Sequence, residues 1–250
     1  MSPRALNQDS LQRRELEILE AALALLEIID VSQLTMDKVV AQVPYSKGTV
    51  YSHFSCKEDL LSGISNHAMR TMINLFSKAA DHVGSSRERY LGMSFAFLIY
   101  ALLKPTLFRT ALCGKSPSVQ GKTSPERLQE HEALEQLVMS LFFKLIDEGI
   151  AEGSLVLPAQ MSKQQVSFTG WAAGYGTIML LSDDIDRCAG RHGLYLEREY
   201  FHSTNIFLDG LNWLPLSSQC DYRAVINKML AERFSEEKAM IAARGRQLVF

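Results

Sequence analysis

The chain has 250 residues, of which 47% are apolar and 22% are charged, with 7 prolines and 15 glycines. This composition can bury a core in one or two domains, and it excludes a disordered chain, collagen or a fibrous coiled coil. The 26 basic and 28 acidic side chains leave a net charge of -2, so any contact with nucleic acid must be local.

The cysteines are widely spaced, at positions 56, 113, 188 and 220, with no C-x-x-C pair and no apolar leader before them. This spacing argues against a zinc knuckle or a secreted disulfide framework, and the isolated histidines have no metal-ligand spacing. We therefore expect a cytoplasmic protein with reduced thiols, no metal and no cofactor. No membrane association is expected, because the longest uncharged apolar stretches, 93–103 and 170–181, are shorter than the roughly 20 residues of a membrane-spanning helix.

Apolar residues recur at i, i+3 and i+4 along the whole chain, which predicts an all-α protein. The first helix carries an apolar stripe and ends near Asp30, a residue type that can take the left-handed conformation at a helix end. Further helices are predicted at 86–103, 106–113, 125–149, 162–182, 195–214 and 221–244. Residues 114–124 are rich in Gly, Ser, Lys and Pro, which predicts a flexible loop.

Between the first helix and residue 86, the cap signals predict short helices in close succession. Thr35 is placed to cap a helix that runs to about Val43, and Pro44 ends it. Ser46 caps the next helix, over 47–54, and Ser55 to Glu58 has the S-x-x-E form of a capping box for a longer helix. Two short helices joined by a tight turn form a helix-turn-helix.

The second of these helices has the side chains of a DNA recognition helix. Lys47 and Thr49 project from its first turn, and Gly48 allows a close approach to the groove wall. Val50 and Phe54, four residues apart, are expected to face the core. The predicted DNA contacts, including phosphate contacts that fix the register, are Thr35, Ser46, Lys47, Gly48, Thr49, Tyr51, His53 and Lys57.

Residues 46–61 resemble the pattern S-K-G-T-x-Y-x-H-F-x-x-K-E-x-L-L of the tetracycline-repressor (TetR) family of bacterial transcriptional regulators. The resemblance extends over about residues 13–61, roughly a fifth of the chain. It implies a helix-turn-helix DNA-binding domain at 1–61 and a ligand-binding and dimerisation domain at 62–250. It also implies a homodimer that binds a palindromic operator and releases it when a small molecule enters the C-terminal domain.

The sequence departs from the family pattern in its turn and its charge. Val43-Pro44-Tyr45 replaces the usual Ala-Gly-Val, and because proline cannot adopt a positive φ, the turn must take another shape. Residues 1–61 hold six basic and nine acidic side chains, a net charge of -3, whereas DNA-binding domains are usually basic. From Lys38 to Lys57, however, there are three lysines and no carboxylate, so we expect a locally positive face.

Small residues recur at helical spacing in the middle of the C-terminal half, at Gly170, Ala173, Gly174 and Thr177. This pattern suits a close helix contact, either within the chain or with a second subunit. Their position in the chain favours the dimer interface.

Aromatic residues of the middle helices are either core or the lining of a ligand cavity. An apolar lining favours an apolar or aromatic effector, and the candidate anchors are Tyr100, Trp171 and Tyr175. We find no catalytic motif and expect no enzyme. The alternatives are a helical small-molecule-binding protein that has lost operator binding and, with less support, an enzyme built on a helical bundle.

Overall fold

The computed structural model describes residues 8–182 and 189–250, and every regular element in this part of the chain is helical. The predicted all-α fold is therefore confirmed. The α-helices are Gln8–Leu26 (α1), Met36–Val40 (α2), Lys47–His53 (α3), Lys57–Ala80 (α4), Ser86–Leu103 (α5), Pro105–Ala111 (α6), Pro117–Gln120 (α7), Pro125–Ala151 (α8), Lys163–Leu181 (α9), Leu196–Gly210 (α10), Tyr222–Arg233 (α11) and Ser235–Ala243 (α12). Shorter 3-10 turns cover Val31–Gln33 and Leu112–Lys115.

The chain divides into two compact units, which differ from the two domains predicted from the sequence. The N-terminal unit contains Met1–Met69 and also Lys104–Leu134, and the C-terminal unit contains Arg70–Leu103 and Glu135–Phe250. The helix-turn-helix is therefore supported by a later segment of the chain, which a boundary at residue 61 assigns to the other domain.

Within the N-terminal unit, the first helix ends differently from the prediction. Asp30 has φ −68° and ψ 152°, an extended conformation, so the left-handed exit is wrong. Its carboxylate instead accepts a hydrogen bond from the backbone N–H of Ser32 at 2.8 Å and caps the 3-10 turn that follows. An extended cap residue is the usual way in which an Asp side chain begins a new helical turn.

The predicted flexible loop at 114–124 is also wrong for most of its length. Residues 112–115 form a 3-10 turn, and 117–120 form α7. Gly114 is buried so closely against α4 that a Cβ there would lie 2.6 Å from the Cβ of Ser65. Val119 is buried as well, so the segment is packed despite its polar composition.

The C-terminal unit is built around α5, which is buried along most of its length and contacts α9, α10, α11 and α12. An apolar helix that is buried on nearly every side is typical of the centre of a helical domain. The helix predicted at 221–244 is divided into α11 and α12 at Phe234, whose ring is buried. In the described residues, no single helix is both long and apolar enough to cross a bilayer, although α5 and α6 would pass that test if counted together.

One buried cation connects three parts of this unit. The Arg87 guanidinium, fully buried, donates to the carboxylate of Asp209 and to the backbone carbonyl of Trp213. It also lies 4.7 Å from the ring centroid of Tyr222. Burial raises the pKa of Tyr222 to about 12, and the positive charge of Arg87 acts in the opposite direction. A buried charge is tolerated here because it is paired and hydrogen-bonded.

The contact between α8 and Trp213 gives a test of this packing. A Cβ at Gly149 would lie 2.9 Å from three atoms of the buried indole, which Tyr90 covers at a centroid distance of 5.1 Å. We expect Gly149→Ala to lower the free energy of unfolding by about 1–3 kcal/mol, because the indole must move within a packed core. Gly210→Ala is the control, since a Cβ at Gly210 would meet no atom within 4 Å. Urea denaturation followed by circular dichroism measures both, and equal stability of the two variants would contradict the packing.

Candidate nucleic-acid interface

Two capped helices and the turn between them form the predicted helix-turn-helix. The hydroxyl of Thr35 accepts a hydrogen bond from the backbone N–H of Lys38 at 3.3 Å and caps α2. The hydroxyl of Ser46 accepts one from the N–H of Thr49 at 3.1 Å and caps α3. Both caps are those that the sequence predicts, and each satisfies a backbone N–H that would otherwise lack a partner.

The turn between the helices contains no glycine, and contacts with α1 fix its position. No residue from 41 to 45 has a positive φ, as expected for a turn that contains Pro44. The Tyr45 hydroxyl donates to the carboxylate of Glu17, and the Arg14 guanidinium lies 5.5 Å from the centroid of the Tyr45 ring. The hydrogen bond to Glu17 raises the pKa of Tyr45. These contacts connect the turn to α1, 28 residues earlier in the sequence.

Helix α3 has one buried face and one exposed face. Val50 and Phe54 have no exposed surface, which confirms that they belong to the core. Lys47, Gly48 and Tyr51 lie on the exposed face. Thr49 is half-buried, with its hydroxyl 2.9 Å from that of Ser46, the residue that caps the helix. The residues predicted to contact DNA from the first turn of α3 are therefore together on one accessible surface.

Lys47, on the exposed face of α3, already forms an ion pair within the chain. The Lys47 ammonium donates to the carboxylate of Asp37 at 2.7 Å and lies 5.5 Å from the ring centroid of Tyr51. The hydrogen bond to Asp37 raises the pKa of Lys47 and so favours the charged ammonium. Because Lys47 is paired with Asp37, an incoming phosphate has to compete with a carboxylate.

Two other residues predicted to contact DNA are less free to do so, because Lys57 is hydrogen-bonded within the chain and His53 is half-buried. The Lys57 ammonium donates to the carbonyls of Val31 and Ser32, at 2.6 and 3.3 Å, and connects the first turn of α4 to the 3-10 turn. His53 is half-buried, and this burial lowers the pKa of its imidazole, against the opposing charge of Glu15. Burial therefore favours the neutral form of the imidazole.

The capping box at the start of α4 uses a different residue from the predicted one. Asp59, and not Glu58, accepts a hydrogen bond from the backbone N–H of Ser55, at 3.2 Å. Glu58 instead pairs with Lys122 at 2.7 Å, and this ion pair lowers the pKa of Glu58. Asp59 is almost completely buried and contacts Arg127 of α8, a residue that the sequence pattern does not indicate.

The candidate effector anchors do not share one environment. Tyr100 is buried on α5, and burial raises the pKa of its hydroxyl, with a smaller contribution from Tyr175. Trp171 lies at the surface of α9, with its ring 6.0 Å from the rings of Phe168 and Tyr175. Tyr100 is buried, Tyr175 is half-buried and Trp171 is 41% exposed, so the three side chains differ in their access to solvent.

The small residues of α9 make their close contacts within the chain. A Cβ at Gly170 would lie 2.9 Å from the hydroxyl of Tyr90, and one at Gly174 would lie 2.9 Å from that of Tyr200. These two glycines therefore admit aromatic side chains of α5 and α10, and a contact of the small residues of α9 with a second subunit stays a prediction. Ala173 is exposed, and the Thr177 hydroxyl donates to its carbonyl at 2.9 Å.

Comparison with known proteins shows a family model that matches part of the N-terminal unit and solved structures that resemble the fold of the chain. The model of the bacterial regulatory proteins of the tetR family matches residues 18–64. The TetR-family regulator PfmR from Thermus thermophilus has a TM-score of 0.57 and 19% identity, over 78% of this chain and 98% of that one. The fatty acid degradation regulator FadR from Bacillus halodurans has a TM-score of 0.59 and 14% identity, over 79% of this chain and 96% of that one.

A third similar structure is a gamma-butyrolactone receptor described as an ArpA-like protein. It has a TM-score of 0.58 and 18% identity, over 89% of this chain and 99% of that one. At such identities the likeness lies in the fold. No curated protein sequence matches the chain.

Gly48 gives a test of how open the exposed face of α3 is. A Cβ there would meet only the Ser46 hydroxyl, at 3.8 Å, whereas a Cβ at Gly63 would lie 2.6 Å from the ring of Phe54. We expect Gly48→Ala to raise the free energy of unfolding by about 0.5 kcal/mol, since alanine loses less backbone entropy. Gly63→Ala should lower it, and chemical denaturation measures both. A loss of stability in Gly48→Ala would mean that the position is not open.

Proposed function

We propose that this chain is a transcriptional regulator of the TetR family with an N-terminal helix-turn-helix, and that it binds a palindromic DNA operator as a homodimer in the cytoplasm. We propose further that it acts as a repressor and that a small apolar or aromatic effector releases it from DNA. It is not an enzyme in this proposal.

The observation that carries the proposal is the exposed face of α3. A recognition helix must place short or hydrogen-bonding side chains next to the base edges and cations next to the phosphates. Gly48 and Thr49 meet the first requirement, and Lys47 and Tyr51 meet the second. Since Gly48 has open space where a side chain would project, we expect Gly48→Ala to fold normally and yet to weaken operator binding.

The dimer is proposed to form through the exposed apolar residues of α9 and α10. These two helices pack on each other, and they carry exposed large apolar side chains at Phe168, Trp171, Leu180 and Ile206, with Phe168 63% and Ile206 72% exposed. Large apolar side chains grouped on a surface are typical of an interface. One short recognition helix also reads too few bases for specific binding, whereas two related by a two-fold axis read two half-sites.

The effector is proposed to bind in the C-terminal unit. Its core is rich in aromatic side chains, among them Tyr100, whose ring centroid lies 6.2 Å from that of Phe97. Apolar lining with a few polar groups is typical of a ligand site, and Tyr100, Trp171 and Tyr175 remain the proposed anchors. The similar structures include one named as a gamma-butyrolactone receptor, which supports a small organic ligand for this fold. Such a ligand releases DNA if it binds better to the conformation that does not fit the operator.

The first test uses Lys47→Ala and Tyr51→Phe with the DNA upstream of the chain's own gene and with a random duplex. We expect Lys47→Ala to weaken binding to both duplexes by a similar factor and to lower the slope of log K against log salt by about one, because one phosphate contact is lost. Lys228→Ala is the control, since it removes an exposed lysine of α11 with the same change in charge. Fluorescence anisotropy measures the affinities. Unchanged affinity in both α3 variants would contradict the assignment, and a wild-type chain that binds no DNA would favour the alternative of a ligand-binding protein without operator binding.

The second test concerns the dimer. We expect Ile206→Glu and Phe168→Glu to produce monomers, because a two-fold interface places each new carboxylate in an apolar contact on both subunits. Val156→Glu is the control, since Val156 is also highly exposed but lies in the connection between α8 and α9. Light scattering measures the mass. A wild-type monomer, or a dimer in both α9 and α10 variants, would contradict the proposed interface.

A further inference from the structure

The side chain of Arg127 contacts three helices of the N-terminal unit at once. It lies in the first turn of α8 and is only 9% exposed. One guanidinium nitrogen donates to the carboxylate of Glu15 on α1 at 2.9 Å, and another donates to the backbone carbonyl of His53 at 3.2 Å. The Nε atom lies 3.3 Å from a carboxylate oxygen of Asp59 on α4. Only the planar fork of an arginine can reach partners in so many directions.

Asp59, the buried partner of Arg127, also accepts hydrogen bonds from both neighbouring segments of the chain. It is 2% exposed, and one of its oxygens accepts hydrogen bonds from the N–H and the hydroxyl of Ser124, both at 3.1 Å. Its other oxygen accepts the N–H of Ser55. The carboxylate therefore joins the residue before α8 to the residues between α3 and α4. An ion pair that is buried and hydrogen-bonded in this way holds its partners in one geometry, and loss of either partner leaves an uncompensated charge.

The contact with His53 is made at the C-terminal end of α3. His53 is the last residue of the helix, so its carbonyl has no partner within the helix. The positive charge of Arg127 is favourable there, because the C-terminal end of a helix carries a partial negative charge. The guanidinium also lies 4.5 Å from the ring centroid of Phe54, the residue that follows α3 and has no exposed surface.

We propose that Arg127 is a positioning residue for DNA recognition, which fixes the C-terminal end of α3 against α1 and α4 without touching DNA itself. The N-terminal end of α3 is already fixed by the Ser46 cap. With both ends fixed, the helix presents Lys47, Gly48 and Tyr51 at one orientation. This inference rests on the proposed function for its consequence on DNA binding, but the fixing of α3 is a property of the free protein.

The experiment compares Arg127→Met and Arg127→Lys with Lys122→Met. Lys122 provides the matched control, because it joins the same segment before α8 to α4 through Glu58, but by an exposed ion pair. Hydrogen exchange of residues 46–55 is measured by mass spectrometry in the absence of DNA, and operator affinity is measured over a range of salt concentrations. Circular dichroism establishes that each variant is folded.

We expect faster exchange in residues 46–55 in both Arg127 variants and operator affinity weakened by at least about tenfold, an effect that loss of one partner of a buried ion pair readily supplies. The salt slope should not change, because a buried residue makes no phosphate contact. Arg127→Lys should not rescue either property, since a single ammonium cannot reach all of the partners. Lys122→Met should resemble the wild-type protein in every measurement.

The outcomes separate the inference from the proposed function. The inference would be overturned if Arg127→Met and Lys122→Met had the same hydrogen exchange in residues 46–55 and the same operator affinity, even if the wild-type chain binds its operator. A reduced salt slope would also overturn it, since that would mean a direct phosphate contact. Faster exchange in a chain that binds no DNA would support the fixing of α3 and contradict the proposed function instead. If Arg127→Met fails to fold, Arg127→Lys decides the question, because it retains the buried positive charge.

Discussion

A helix of seven residues cannot hold its own shape in water, and this constraint governs the N-terminal unit. Helix formation requires the costly ordering of a first turn, so isolated helices shorter than about 12–15 residues are marginal. Helix α3 spans Lys47–His53 and depends on its surroundings. The Ser46 hydroxyl accepts a hydrogen bond from the N–H of Thr49, Val50 and Phe54 pack in the core, and Arg127 donates to the last carbonyl. The outer face is thereby left for side chains that contribute little to the fold.

Each compact unit uses one buried arginine in the same chemical way. Arg87 and Arg127 each pair with an aspartate, each donate to a backbone carbonyl and each lie over an aromatic ring. The carboxylate balances the charge, the carbonyl uses a further donor, and the ring covers the guanidinium plane. Elements from distant parts of the chain meet at one side chain in each case. Because each arginine bonds its partners in fixed directions, it defines the geometry of the surrounding helices more strictly than apolar packing does.

Local signals in the sequence were sufficient for much of the fold and for the position of α3. Thr35, Ser46 and Val50 act within four residues of their positions, so cap rules and helical spacing predicted them. The pairing of Glu17 with Tyr45 and that of Asp59 with Arg127 join residues far apart in the sequence, and no local pattern carries that information. For the same reason, small residues on α9 predicted a close helix contact but did not indicate whose side chain would occupy it.

The ion pair between Lys47 and Asp37 has a consequence for how a DNA-bound protein would search a genome. Both side chains are largely exposed, at 61% and 74%, so the pair itself adds little stability. In the proposed complex, however, the carboxylate repels any nearby phosphate, whatever the base sequence. It therefore lowers the affinity for every site by a similar factor and leaves the discrimination between sites unchanged. The expected result is a shorter residence at the very many incorrect sites, which in a genome compete with the operator for each molecule of the regulator.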